Sequence, residues 1–165
     1  MFNMVRSIRL VALGGVAVAA IAAQPALAAD TAPLTVSATV TATCNVTTSA
    51  VAFGNVDVTS GSNVDAVGGI SVTCTNGTAW AAAAGAGNGT GATVTARKMA
   101  SGANLLNYAL FTDSARTTNF GGANTISGTG SGSAQASSVY GRVASGQTSV
   151  PSGSYADSVA ITLTY

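Results

Sequence analysis

General acid–base catalysis in this chain would have to rest on Asp57, Asp65, Asp113 and Asp157, because the sequence has no Glu and no His. Such chemistry needs paired groups whose surroundings push their pKa values apart, whereas these four are scattered through turn-like stretches. Ser-His-Asp and Cys-His nucleophiles are excluded, since the base is missing. A Ser-Lys pair would have to use Lys98, and Arg97-Lys98 after a strand-like segment is expected to be a solvated strand end. No catalytic residue is assigned.

Metal and cofactor chemistry fare no better. Cys44 and Cys74 lack the close ligand spacing of a zinc site, and the aspartates lack the spacing of a calcium loop. Gly87-Asn88-Gly89-Thr90-Gly91-Ala92 superficially matches the glycine signature of a dinucleotide fold, in which backbone approaches a pyrophosphate at a helix N-terminus. Here Thr93-Val94-Thr95 reads as β-structure and not as a helix, so the segment is expected to be a turn. Trp80 and Tyr108 could stack on a sugar, but aromatics at alternating strand positions are expected in the core. Asn45-Val46-Thr47, Asn76-Gly77-Thr78 and Asn88-Gly89-Thr90 match the glycosylation sequon, as chance allows in so threonine-rich a chain. No metal and no cofactor is expected.

The elements that carry these residues begin behind a leader. Arg6 and Arg9 precede an apolar run from Leu10 to Ala23, followed by the small-x-small sequence Ala26-Leu27-Ala28, the form of a cleaved signal peptide. The run has 14 residues, against the roughly 20 of a spanning helix, so no membrane insertion is expected after cleavage. About 136 residues then remain, with four basic against five acidic side chains. No Lys/Arg cluster could follow a phosphate backbone, so nucleic acid is not an expected partner. The charged fraction of 7% is far below the roughly 25% usual in soluble domains. Such weak mutual repulsion suits a chain that assembles with itself, and a lineage preference for Ala, Gly and Thr explains it equally well.

Two cysteines in an exported chain imply one disulfide, Cys44 to Cys74. Around them the sequence reads as short strands. Leu34, Val36, Ala38 and Val40 alternate with hydroxyl residues, a period-two strand pattern ahead of the first cysteine. Val51 to Phe53 and Val56 to Val58 are strand-like. So are Ile70, Val72 and Cys74; Trp80, Ala82 and Ala84; Thr93 to Met99; Leu106, Tyr108 and Leu110; and Val139 to Val143. Residues 121–133 are too poor in apolar side chains to pack. Val159, Ile161, Leu163 and Tyr165 alternate in a last strand. With no convincing amphipathic helix, the pattern predicts an all-β domain, a β-sandwich of immunoglobulin-like type.

Thr43-Cys44-Asn45-Val46 with Phe53-Gly54, Ile70 to Thr78, Arg97-Lys98-Met99, Leu106 to Asp113, Val139 to Arg142 and Pro151 to Asp157, in that order, resemble the spore coat protein U domain family. That family includes the main subunits of archaic chaperone-usher pili of the Csu type. The resemblance implies an incomplete sandwich whose core opens into a groove, filled first by a strand from a periplasmic chaperone and then, at an outer-membrane usher, by the N-terminal extension of the next subunit. It divides the chain into a leader (1–28), a donor-strand extension (29–41) carrying Leu34, Val36, Ala38 and Val40, and a sandwich domain (42–165). Val159, Ile161, Leu163 and Tyr165 resemble the strand that flanks the groove. The implied function is the structural subunit of a surface pilus serving attachment and biofilm formation, with self, chaperone and usher as partners. A secreted coat or matrix protein is the alternative within the family, and a monomeric carbohydrate-binding adhesin a third reading. Ala38 is small for a plug, and Ala81 to Ala84 lack the bulk expected of a packed strand.

Overall fold

A computed structural model describes residues 27–165; the expected leader therefore lies outside the described residues except for Leu27 and Ala28. The chain divides into a unit ending at Ala38 and a unit Thr39–Tyr165. In the first, the described residues form no strand or helix, and Leu34 and Val36 are 88% and 84% exposed. The strand expected over 34–40 is thus absent. Alternation makes a segment compatible with a sheet, but a strand exists only where a ladder partner satisfies its main chain.

The second unit is all-β. Its strands are β1 (Cys44–Ser49), β2 (Val64–Cys74), β3 (Ala79–Ala84), β4 (Arg97–Ser101), β5 (Asn104–Phe111), β6 (Ile126–Thr129), β7 (Gln135–Val143) and β8 (Ile161–Thr164). They form a five-stranded sheet in the order β1-β2-β7-β5-β4 and a three-stranded sheet β6-β3-β8, with every ladder antiparallel. Period two sends Ile70, Val72 and Cys74 of β2, Leu106, Tyr108 and Leu110 of β5, and Trp80, Ala82 and Ala84 of β3 into one core. That places the aromatics Trp80 and Tyr108 inside, the former donating its indole N–H to Gln135 Oε1 at 3.3 Å. Cys44 and Cys74 lie directly opposite each other on β1 and β2 and are joined as a disulfide across a Cα separation of 4.1 Å. The bond therefore staples neighbouring strands of one sheet, unlike the inter-sheet bridge of antibody domains.

Three expectations need correction. Thr93 and Ala96 exchange main-chain hydrogen bonds at 3.1 Å in a two-residue turn, so the strand begins at Arg97 and not Thr93. The stretch 121–133 does pack: β6 pairs with β3, with half-buried Ile126 opposite Ala82 and Gly128 opposite Trp80. Arg97, expected in solvent, is fully buried. Its guanidinium donates to Val94 O at 2.7 Å, Gly85 O at 2.8 Å, Phe120 O at 2.6 Å and Ala84 O at 3.3 Å. The bonds to Ala84 and Phe120 are buried and those to Gly85 and Val94 partly buried, so one side chain satisfies four main-chain oxygens that have little access to water. Together with Phe120, also fully buried, Arg97 brings bulk to the end of the alanine-rich β3.

Candidate functional site

The two sheets do not close on each other along one side. Between the segment that follows β1 and the segment that leads into β8 runs a groove of about 900 Å³. Its floor is Ile70 of β2, Val139 of β7, and Leu106, Tyr108 and Leu110 of β5. One bank is residues 50–58, where Val51, Phe53, Val56 and Val58 turn half-buried side chains toward the core while their neighbours face solvent. The strands expected at Val51–Phe53 and Val56–Val58 are not formed: their inward side chains pack, but the main chain over 50–58 has no ladder partner. The parity of the inward residues changes at Gly54-Asn55, and Gly54 supplies the positive φ of 66° that this break requires.

The bank is seated by an absence. A side chain at Gly141, in β7, would place its first carbon 2.5 Å from Val51 Cγ1 and 2.8 Å from Phe53 Cζ, closer than packed carbons approach. Gly141 therefore leaves the space into which Val51 and Phe53 pack. Phe53 then meets Tyr108 edge to face, with ring centroids 6.2 Å apart.

The opposite bank is residues 150–161. Here Tyr155, Asp157, Val159 and Ile161 face inward, all partly buried, with exposed residues between them. Ala156 exchanges main-chain hydrogen bonds with Ala100 of β4, at 2.9 and 3.1 Å, and Ala160 O accepts from Gly85 N at 2.9 Å. Asp157 Oδ2 accepts from the Tyr108 hydroxyl at 2.6 Å, while its Oδ1 accepts from Asn88 N at 2.7 Å and Ser158 N at 2.8 Å. One carboxylate thus ties the bank to the floor and to the Gly87–Gly91 turn. Burial, and then this hydrogen bond, push the Tyr108 hydroxyl up from its ordinary pKa. Burial pulls the Arg97 guanidinium down, opposed by Tyr108 and Asp157 nearby.

Of the last-strand residues singled out in the sequence, Val159 and Ile161 line the groove; Leu163 packs on the core, and Tyr165 is 58% exposed. β8 hydrogen-bonds to β3 on one side and is an edge of its sheet on the other. Leu34, Val36, Ala38 and Val40 are all exposed. Asp157 was legible only as one aspartate among several, because its partners are 49 and 69 residues away. The aspartates do not converge. Asp65 instead pairs with Arg142 on the neighbouring strand, Nε to Oδ1 at 2.8 Å and Nη2 to Oδ2 at 2.9 Å, and with Arg116 at 3.3 Å. Asp113 binds Thr117 and Thr118 within its own turn. Among the described residues no cluster of three metal-ligating side chains occurs, and no helix is long and apolar enough to cross a membrane.

A two-sheet antiparallel sandwich with a core open along one edge defines the pilin type of immunoglobulin-like fold. The Spore Coat Protein U domain matches residues 30–162, and the chain belongs to that family. The fold is shared with a chain in the crystal structure of the CsuC–CsuE chaperone–tip adhesion subunit pre-assembly complex from archaic chaperone-usher Csu pili of Acinetobacter baumannii, at a TM-score of 0.55 and 20% identity. The match covers 77% of this chain and 40% of that one. No curated protein matches the sequence.

Proposed function

We propose that this chain is a structural subunit of a surface pilus, and that its groove is completed by a β-strand supplied from outside. A chaperone provides that strand during export, and residues 29–41 of the next subunit, carrying Leu34, Val36, Ala38 and Val40, replace it in the fibre. The observation that supports this most is the groove itself: an apolar floor between a bank of alternating residues with no ladder and a second alternating bank that runs into the edge strand β8. A strand laid there gains main-chain hydrogen bonds, and its alternate side chains fill pockets. Burying four small or medium apolar side chains contributes several kcal/mol at about 25 cal/mol per Å², before ordering costs. Because giving and receiving surfaces differ, the contact is heterologous and propagates as a fibre. The reading assigns no enzymatic activity, and attachment and biofilm formation are the roles it gives the fibre.

The test is deletion of residues 30–40 from the full chain. The shortened subunit is expected to be captured by its chaperone and to fail to dock on a preceding subunit; unchanged fibres would overturn the reading. Assembled material is also expected to run as a ladder on gels until boiled. Monomer alone from unheated fibres would count against strand insertion.

A further inference from the structure

The groove carries information about how an incoming strand must lie, and this inference rests on the donor-strand reading above. Its two banks differ in regularity. On the 50–58 bank the inward positions change parity at Gly54, from Val51 and Phe53 to Val56 and Val58. On the other bank Tyr155, Asp157, Val159 and Ile161 keep one parity throughout, and Leu163, the next in the series, does not line the groove. A strand with unbroken alternation can therefore stay in register along its whole length only with the 155–161 bank. The main-chain groups of Ala156 and the oxygen of Ala160 are already bonded to β4 and to Gly85. Alternation sends those of Asp157 and Val159 to the other side, where an added strand would meet them.

The four inward positions on this bank equal in number the four apolar side chains of the segment 34–40. Three of the bank positions are apolar or aromatic, while Asp157 is a carboxylate held by three donors, including the Tyr108 hydroxyl on the groove floor. Displacing it would leave those donors unpaired, so the side chain laid over it must be small. Ala38 is the smallest of the four. Every ladder in the domain is antiparallel, and an antiparallel strand seated four on four brings Ala38 to Asp157. A parallel strand would put Val36 there and leave Ala38 over Val159.

We infer that the segment of a neighbouring copy docks antiparallel with Leu34 opposite Ile161, Val36 opposite Val159, Ala38 opposite Asp157 and Val40 opposite Tyr155. Asp157 is then the residue that sets the register, accepting a small side chain and rejecting a large one. The small plug that the sequence made look like a weakness is the feature that fits.

Cysteine trapping in fibres of the full-length chain tests this. Val36→Cys with Val159→Cys is expected to give a ladder that survives boiling and collapses with reductant. The pairs Val36→Cys with Ile161→Cys, Leu34→Cys with Val159→Cys, and Val40→Cys with Ile161→Cys report the two shifted registers and the parallel strand, and are expected to give none. A locked ladder from any of these three in place of the first overturns the register and leaves donor-strand exchange standing. Fibres that form with no locked ladder from any pair overturn both. Because cysteine variants can fail to assemble, a synthetic peptide of residues 29–42 provides a second measurement on the unsubstituted chain. Ala38→Leu in the peptide is expected to weaken binding roughly tenfold or more, as overpacking does, and Val40→Leu less than about threefold. Equal losses would overturn the role of Asp157.

Discussion

Two stretches of this chain share one pattern and differ in outcome. Leu34, Val36, Ala38 and Val40 alternate with hydroxyl residues, and Val159, Ile161 and Leu163 alternate with the small or hydroxyl residues Ala160, Thr162 and Thr164. The later stretch becomes β8, with Ile161 and Leu163 half-buried and a ladder to β3. The earlier one forms no strand, and Leu34, Val36 and Val40 are more than four-fifths exposed. Period two, then, specifies a face to bury and says nothing about what buries it. The bank at 50–58 is an intermediate case, since its inward side chains are packed but its main chain has no ladder.

The comparison implies that substitutions inside the sandwich act on folding and those in 34–40 do not, and it can be broken at several strengths. Arg97→Ala carries the largest expected effect, because four main-chain oxygens, bonded at two buried and two partly buried contacts, lose their donor. We expect a loss of about 4 kcal/mol in denaturant unfolding, and a loss under about 1 kcal/mol would show that these oxygens find other partners. Next comes the disulfide, whose two cysteines are 30 residues apart. Replacing both by Ser is expected to cost about 3.5 kcal/mol by the chain-entropy relation, read as an earlier urea midpoint with no change in fold by circular dichroism.

A smaller effect belongs to Asp65. Its hydrogen bond to Arg142 holds the carboxyl below its ordinary pKa in the folded state. A depressed pKa contributes stability above the unfolded value near 4, lost as pH falls through the lower folded value. Asp65→Asn is therefore expected to cost less than about 1 kcal/mol at neutral pH, as exposed pairs do, and to flatten the acid limb of the stability profile. A cost that grows below pH 3 would contradict that sign. The smallest effect is expected of Leu34→Ser, which should leave the unfolding midpoint within about 0.5 kcal/mol of its starting value while impairing assembly. A clear loss of stability would erase the distinction between the two stretches.

Much of the sandwich was legible because burial and period coincide. Ile70, Val72 and Cys74, and likewise Leu106, Tyr108 and Leu110, could be placed inward from alternation alone, and the cysteine pairing followed from there being two. What escaped reading depends on partners distant in sequence. Arg97 next to Lys98 looks like a wet strand end until four carbonyls converge on it. Ile126 and Gly128 look unpackable until Ala82 and Trp80 lie opposite them. The groove was legible as a family expectation, but not its two unlike banks: Val51–Phe53 and Val56–Val58 read as strands that do not form, and neither the parity break at Gly54 nor the Tyr108–Asp157 contact has a local signature.

The staple between Cys44 and Cys74 also has a mechanical consequence. Any tension applied to the chain ahead of Cys44 reaches β2 through a covalent bond before it reaches the hydrogen bonds of β1. β2 is held on its far side by the long ladder to β7, from Val64↔Val143 to Val72↔Gln135. Load is thus delivered to β2, inside the edge of the larger sheet, and the β1–β2 ladder, which would otherwise peel open one pair at a time, is bypassed. A protein pulled by its leading segment would yield elsewhere first.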